Sequence, residues 1–194
     1  MGVLGGAFNP PHVGHLVLAQ EAAAQVGLDR VLLVPAGEAP HKRIEPEPGK
    51  RVRLEMTRLA ADGNDLLEAS DIEVEREGPS YTYRTLELLG QEGDDELWFL
   101  MGADVASSIE SWREPQRVLE LAGLGVAARA GTVLDEVEAA LERLGEGHHE
   151  VIRMPEIGVS STRVRRRVAQ GRPVRYLVPD AVVDYIAEQG LYRG

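Results

Sequence analysis

The stretch Gly5-Gly6-Ala7-Phe8-Asn9-Pro10-Pro11-His12-Val13-Gly14-His15 decides the fold. It follows the short apolar run at residues 1–4 and precedes an apolar, alanine-rich segment at residues 16–26. This order predicts a strand, a tight glycine turn and a helix. Gly5 and Gly6 allow backbone conformations that other residues avoid, and the two prolines suit a loop that leads into the first turn of a helix.

The predicted helix start is a candidate phosphate site. Free N–H groups at a helix N-terminus carry roughly half a positive charge, which favours an anion. His12 and His15 are three residues apart, so both imidazoles lie on one side of the first turn. They could instead bind a metal ion, but no carboxylate or cysteine stands beside them in the sequence to complete a ligand set. The pattern is neither the dinucleotide-binding glycine fingerprint nor the P-loop.

Composition limits the classes of function. The length of 194 residues suits a single domain over residues 1–194, and the absence of cysteine excludes disulfides and thiol catalysis. Because the sequence shows no signal peptide and no apolar run of roughly 20 residues, we expect a cytoplasmic protein with no membrane partner. A formal net charge of -11 argues against nucleic-acid binding. The arginines clustered at residues 163–167 can still hold a small anion, because salt screens exposed charges beyond about 8 Å.

Strand and helix patterns alternate along the chain, which predicts an α/β fold with a parallel sheet. We expect strands at residues 30–34, 72–75, 96–101, 124–129 and 151–154. We expect helices at residues 12–26, 51–61, 80–89, 133–144 and 181–189, with further helices beginning near residues 115 and 161. Ser80 is a candidate cap for the third of these helices.

Several further residues have both a structural and a functional interpretation. Ser160 or Ser161 can cap a helix and also face an anion, and Arg165 can reach back with a guanidinium fork that matches phosphate oxygens. Asp104 comes shortly after a glycine at a predicted strand end, where it can accept from a ribose hydroxyl, orient a metal-bound water or cap a helix. Trp112 has polar neighbours, although a lone tryptophan is usually a core residue. The other arginines of the cluster are interpreted as a solvated face: Arg163, Arg166 and Arg167.

The first stretch resembles the (T/H)xGH signature of the nucleotidylyltransferase superfamily, whose GGxFxPxHxGH segment handles a nucleotide triphosphate. Ala7 and Asn9 stand where Thr or Ser and Asp are frequent, and we interpret both as tolerated variants. The stretch Ile157-Gly158-Val159-Ser160-Ser161-Thr162-Arg163-Val164-Arg165 resembles the ISSTxIR signature of the same superfamily. The first strand is short for the family, so we expect a few native residues before Met1.

Other segments resemble one branch, the bacterial nicotinate-nucleotide adenylyltransferases. Residues 35–42 are similar to its PxxxPHK segment, residues 78–86 to its GPSYTxxTL segment and residues 111–115 to its W-(K/R)-x element. The closing segment at residues 177–192 is similar to VPxxVxxYIxxxxLY, in which Tyr185 and Tyr192 are structural. The resemblance spans almost the whole chain.

The resemblance implies a Rossmann-like nucleotidylyltransferase fold, with helices on both faces of the sheet. It implies adenylyl transfer from ATP to nicotinate mononucleotide, giving deamido-NAD and pyrophosphate by direct in-line attack without a covalent intermediate. Mg2+ would accompany ATP, with no metal site built from the protein alone, and a homo-oligomer is compatible with the sequence. Two other readings stay open, a pantetheine-phosphate adenylyltransferase and a non-catalytic nucleotide-binding sensor.

The resemblance also assigns roles to individual residues. The catalytic residues that it implies are His12, His15 and Arg165. The implied ATP-binding residues are Gly5, Gly6, Ala7, Phe8, His12, His15, Gly102, Asp104, Ser160, Ser161 and Arg165. The implied residues for nicotinate mononucleotide are Lys42, Thr82, Thr85, Trp112 and Arg113, and His41 would help Lys42 to close over a phosphate.

Overall fold

The fold is a parallel sheet covered by helices, seen in a computed structural model that describes residues 1–39, 45–93, 96–128 and 148–193. The strands of the described chain are β1 Gly2–Gly6, β2 Val31–Pro35, β3 Leu67–Ala69, β4 Trp98–Gly102, β5 Gly123–Ala128 and β6 His149–Arg153. Its helices are α1 Val13–Val26, α2 Lys50–Ala61, α3 Thr82–Glu92, α4 Ala103–Ala106, α5 Pro115–Leu121, α6 Ser161–Ala169 and α7 Asp180–Glu188, with a 3-10 turn at Ile109–Ser111.

The strand order locates the site. The strands lie in the order β3-β2-β1-β4-β5-β6 and all neighbours are parallel. The chain therefore runs outward from β1 in one direction and restarts at β4 in the other, which is the doubly wound arrangement. This confirms the predicted Rossmann-like α/β fold. Ligands of such sheets bind in the crevice beyond the carboxyl ends of the two central strands, here Gly6 and Gly102.

Two core layers cover the two faces of the sheet, because consecutive strand residues point to opposite sides. Val3 packs in the layer formed with α3 and α5, whereas Leu4 packs with α1 and part of α2. A third apolar cluster joins α2 to α6 and α7, with Val164 and Val182 fully buried in it. This cluster attaches the C-terminal helices, and with them the start of α6, to α2, which packs against the sheet.

Helix ends follow the sequence signals more closely than strands do. As predicted, α1 ends at Gly27, which has a left-handed φ of 82°. The predicted strand at residues 72–75 is wrong, since this segment is a turn closed by a hydrogen bond from the N–H of Glu75 to the carbonyl of Asp71. Glu73 and Val74 are both buried, so the alternation of apolar and acidic residues does not reflect alternate exposure.

Three other expectations concern single segments. Ser80 does not cap α3, whose cap position is Tyr81, and its hydroxyl instead accepts from the N–H of Gly37 at 2.9 Å. The helix predicted at residues 133–144 lies outside the described residues. No helix in the described ranges combines the length and apolar character that a membrane span requires.

Candidate active site

The loop between β1 and α1 forms the centre of the site. Gly5 and Gly6 belong to β1, and the left-handed backbone conformation lies at Phe8, with φ of 45°. The prediction of a glycine turn is therefore wrong. These two glycines instead leave space beside the end of β1. A Cβ on Gly6 would lie 3.3 Å from the ring of Phe8, which is tighter than most Cβ contacts.

The two predicted catalytic histidines lie together. The rings of His12 and His15 stack with centroids 3.7 Å apart, and the edge of Phe8 contacts His15 at a centroid distance of 4.9 Å. Nδ1 of His15 accepts from the backbone N–H of His12 at 3.1 Å. A neutral imidazole that accepts at Nδ1 carries its hydrogen on Nε2, so His15 presents an N–H donor on its other side. Phe8 is only 1% exposed and its ring packs against His15, so its predicted role in binding ATP stays a prediction.

The start of α6 is attached to this loop. Ser160 is the cap of α6 and its hydroxyl accepts from the N–H of Arg163 at 3.2 Å, as the sequence predicted. The hydroxyl of Ser161 donates to the carbonyl of Pro10 at 2.8 Å. Two helix N-termini, those of α1 and α6, therefore lie next to each other. Each helix start carries the partial positive charge that favours an anion, but at α1 the N–H groups of Val13 and His15 already donate to the carbonyls of Leu177 and His12, at 3.0 and 2.9 Å.

Arg165 contacts the same loop from the first half of α6. Its Nη1 donates to the carbonyl of Asn9 at 2.7 Å, and its Nη2 donates to the carbonyl of Glu45 at 3.1 Å and to the hydroxyl of Thr162 at 3.3 Å. A guanidinium has five N–H donors, so these contacts leave donors that can meet phosphate oxygens. The role of Arg165 in binding ATP stays a prediction.

Asn9 connects segments that the sequence analysis did not link. Its side-chain amide donates to the carbonyl of Pro46 at 2.7 Å, and its Oδ1 accepts from the hydroxyl of Tyr192 at 2.6 Å. Asn9 is buried and the phenol is mostly so. An ionised aspartate at this position could not donate to Pro46. Asn9 therefore has a structural role at this position, and Tyr192 has one as well, as expected.

Replacing Tyr192 with phenylalanine should destabilise the protein and flatten its response to alkali. Burial raises the pKa of Tyr192 in the folded protein, with Arg165 and Arg53 opposing the rise. The stabilising contribution of the neutral phenol is complete below the unfolded pKa of about 10 and is lost as pH rises from there through the folded pKa. The variant should lose about 1–3 kcal/mol at neutral pH, because Asn9 Oδ1 loses its buried donor. Urea unfolding at about pH 8 and about pH 11 measures both effects.

Tyr176 provides the control for that measurement, because it is 80% exposed. Phenylalanine at Tyr176 should change neither the stability nor its pH dependence. An unfolding free energy that falls between the two pH values by the same amount in the Tyr192 variant as in the wild type would contradict the assignment.

The loop after β2 and the start of α3 are joined by hydrogen bonds. The hydroxyl of Ser80 accepts from Gly37, and its N–H donates to the carbonyl of Glu38 at 2.8 Å. α3 begins two residues later, at Thr82, which is half-buried. Thr85 is buried and its hydroxyl donates to Glu73 at 2.6 Å, so a ligand at this residue would meet the backbone. The binding roles of both threonines stay predictions.

The residues that follow β4 line the neighbouring part of the sheet edge. The cap position of α4 is Gly102, so the capping interpretation of Asp104 is wrong. Asp104 lies in the first turn of α4 and is exposed. A Cβ on Gly102 would lie 2.6 Å from Oδ1 of Asp104, so glycine leaves room for that carboxylate. Trp112 is half-buried and packs edge to face on Phe99 at 5.8 Å, while Arg113 is exposed. Trp112 is thus partly a core residue.

Two residues with predicted binding roles, Lys42 and His41, lie outside the described residues, so their roles stay predictions. Within residues 1–39, 45–93, 96–128 and 148–193, no group of three or more His, Asp or Glu side chains could hold a metal ion.

Arg53 is a component of this region that was not among the residues predicted from the sequence. Its side chain is 0% exposed and it bonds to the loops after β1 and β2. The available signal was its position in α2, three residues before Met56 and seven before Ala60, which places it on the buried face of the helix.

Known proteins resemble this chain in both sequence and fold. Residues 3–167 match the family model described as Cytidylyltransferase-like. The chain is 46% identical over 199 residues to the probable nicotinate-nucleotide adenylyltransferase of Roseiflexus sp. (strain RS-1), covering 100% of this chain and 98% of the relative. It is 42% identical over 194 residues to that of Thermus thermophilus, covering 100% and 99%.

The fold is also that of a solved structure, Plasmodium falciparum nicotinic acid mononucleotide adenylyltransferase complexed with NaAD. The TM-score is 0.79 at 18% sequence identity, over 98% of this chain and 96% of that one. The chain therefore belongs to the cytidylyltransferase-like family, a class of nucleotidyltransferases. Its full-length relatives place it in the nicotinate-nucleotide adenylyltransferase branch, which confirms the resemblance drawn from the sequence.

Proposed function

We propose that the protein transfers the adenylyl group of ATP to nicotinate mononucleotide, producing deamido-NAD and pyrophosphate. The observation that carries the proposal is the pairing of two helix N-termini at the switch point of the sheet, joined by the 2.8 Å bond from Ser161 to Pro10. That arrangement suits a polyphosphate. The names of the full-length relatives favour nicotinate mononucleotide as the acceptor over phosphopantetheine, and catalysis over mere nucleotide sensing.

The reaction is a direct in-line displacement. An oxygen of the mononucleotide's 5′-phosphate forms a bond to the α-phosphorus of ATP, and the bond from that phosphorus to the bridging oxygen of the β-phosphate breaks. The electron pair of the broken bond leaves with pyrophosphate. Because the attacking phosphate is already anionic at pH 7, no strong base is required. Holding the two reactants in line can by itself supply about 7–11 kcal/mol.

The residues of the site divide this work. We assign the Nε2–H of His15 and the start of α1 to the phosphate oxygens where negative charge develops, with His12 stacked behind His15. The backbone N–H of Ser161, whose hydroxyl hydrogen is already donated to Pro10, and the guanidinium of Arg165 are assigned to the β- and γ-phosphates, beside the start of α6. Asp104 is the carboxylate beyond β4 that can accept from a ribose hydroxyl. These assignments account for the predicted catalytic set of His12, His15 and Arg165.

We propose that Mg2+ enters with ATP. Bound Mg2+ keeps several waters and is commonly held through substrate phosphates and one or two carboxylates, which neutralises charge on the triphosphate. Asp104, an exposed oxygen donor at the carboxyl end of the sheet, has the ligand chemistry that this ion prefers. A single domain over residues 1–194, a cytoplasmic location and a homo-oligomer that the sequence allows remain expectations.

Pyrophosphate release with Mg-ATP tests the function, with nicotinate mononucleotide, nicotinamide mononucleotide and phosphopantetheine offered in parallel. We expect turnover with the first to exceed that with the second. Comparable rates would indicate dual specificity. Release with phosphopantetheine alone would overturn the acceptor assignment, and ATP binding without release with any acceptor would favour a sensor.

A further inference from the structure

A buried arginine connects the two sides of the proposed site. Arg53 lies in the first half of α2, and its Nη1 donates to the carbonyl of Ala7 at 3.0 Å. Its Nη2 donates to the carbonyl of Gly37 at 3.2 Å. Ala7 follows β1 and Gly37 follows β2, and these two strands are neighbours. One guanidinium therefore joins the loop after β1 to the loop after β2 at the same edge of the sheet.

The third side of the guanidinium is also fixed. Nε of Arg53 donates to Oε1 of Glu47 at 3.0 Å, and the same oxygen accepts from the N–H of Gly49 at 2.8 Å. A buried charge requires such partners, and the planar fork of arginine fixes the directions of all three bonds. The spacing between the loops at Ala7 and Gly37 is therefore set by a rigid group with fixed anchors.

The connection continues from Gly37 toward the acceptor side. The N–H of Gly37 donates to the hydroxyl of Ser80, and the N–H of Ser80 donates to the carbonyl of Glu38. Two residues beyond Ser80, α3 begins at Thr82. A continuous hydrogen-bonded path thus runs from the loop between β1 and α1, through Arg53, to the segment assigned to nicotinate mononucleotide.

We propose that Arg53 is a positioning residue that sets the gap between the two bound substrates. The inference rests on the proposed function, because it needs both substrates in this site. Arg53 is 0% exposed and touches neither of them, so it acts on their relative placement. A misplacement of about 1 Å can cost up to roughly 100-fold in rate. Its effect should therefore fall on the joint reaction more than on the binding of either substrate alone.

The test is Arg53→Lys, which keeps the charge but cannot form the three-sided contact. We expect kcat to fall roughly tenfold. The dissociation constants of nicotinate mononucleotide and of a non-hydrolysable ATP analogue, measured separately by calorimetry, should stay within about twofold of the wild type. Thr57→Val is the matched control, because Thr57 is buried on the same helix and its hydroxyl donates to the carbonyl of Arg53 at 2.8 Å. It should lower stability and leave kcat unchanged.

Ser80→Ala interrupts the same path at a half-buried residue and covers the case in which the Arg53 variant fails to fold. It should lower kcat by a smaller factor, again without weakening the separate substrates. Wild-type kcat in either folded variant would overturn the inference, and so would parallel losses of affinity for each substrate alone. Absence of pyrophosphate release in the wild type would instead overturn the proposed function.

Discussion

Replacing His15 with alanine is expected to lower kcat by roughly 100- to 1,000-fold, the range observed when one donor to developing charge is removed. In this structure His15 is held by the stack on His12, the edge of Phe8 and the bond that its Nδ1 accepts. Nδ1 therefore orients the ring, and Nε2 carries the hydrogen that can be donated to a phosphate. Stability should fall by only about 1 kcal/mol, as for the loss of a cap. Steady-state pyrophosphate release and urea unfolding measure the two effects.

Two amide variants of His15 separate these roles. In His15→Gln the side-chain amide nitrogen can occupy the position of Nε2 and donate to a phosphate. In His15→Asn the amide oxygen can occupy the position of Nδ1 and accept from the N–H of His12. We expect the glutamine variant to keep more of kcat and the asparagine variant to keep more of the unfolding free energy. A more active asparagine variant, or an alanine variant within about tenfold of the wild type, would contradict the role given to Nε2.

The parts of the fold that the sequence predicted are those with local signals. The left-handed Gly27 ends α1, and Ser160 caps α6, because a helix end is determined by the few residues around it. The continuous apolar run of β2 is buried on both faces of the sheet, as that pattern indicates. The resemblance of two segments to superfamily motifs also predicted that α1 and α6 begin at the carboxyl edge of the sheet.

The failures come from contacts between residues distant in sequence. Residues 72–75 alternate like a strand, yet Glu73 is buried because it accepts from Thr85, which no pattern within the segment encodes. Asn9 meets Tyr192 across 183 positions of sequence. Arg53 has the residue type of a solvated surface, and its burial is explained by two carbonyls and the carboxylate of Glu47, none of which the local sequence pattern reveals. The polar partners inside a site are set by tertiary structure, and residue type alone does not reveal them.

Replacing Arg165 with alanine is expected to lower kcat/KM for ATP by roughly 100- to 10,000-fold, since charged hydrogen bonds to two phosphates are lost at about 1.5–3 kcal/mol each. Arg165→Lys keeps the charge without the fork and should fall between the alanine variant and the wild type. Arg166→Ala is the matched control. It removes the same charge from the adjacent, exposed position of α6 and should leave kcat/KM nearly unchanged.

The contacts of Arg165 with the carbonyls of Asn9 and Glu45 offer a competing explanation, in which the arginine only fastens the loop. Inhibition by AMP distinguishes the two, because AMP lacks the β- and γ-phosphates. If Arg165 holds those phosphates, its alanine variant binds AMP as the wild type does while its affinity for ATP falls. If the loop alone is loosened, the affinities for AMP and ATP decline together. Equal losses would therefore remove Arg165 from the phosphate site and leave it the structural role that its present contacts already describe.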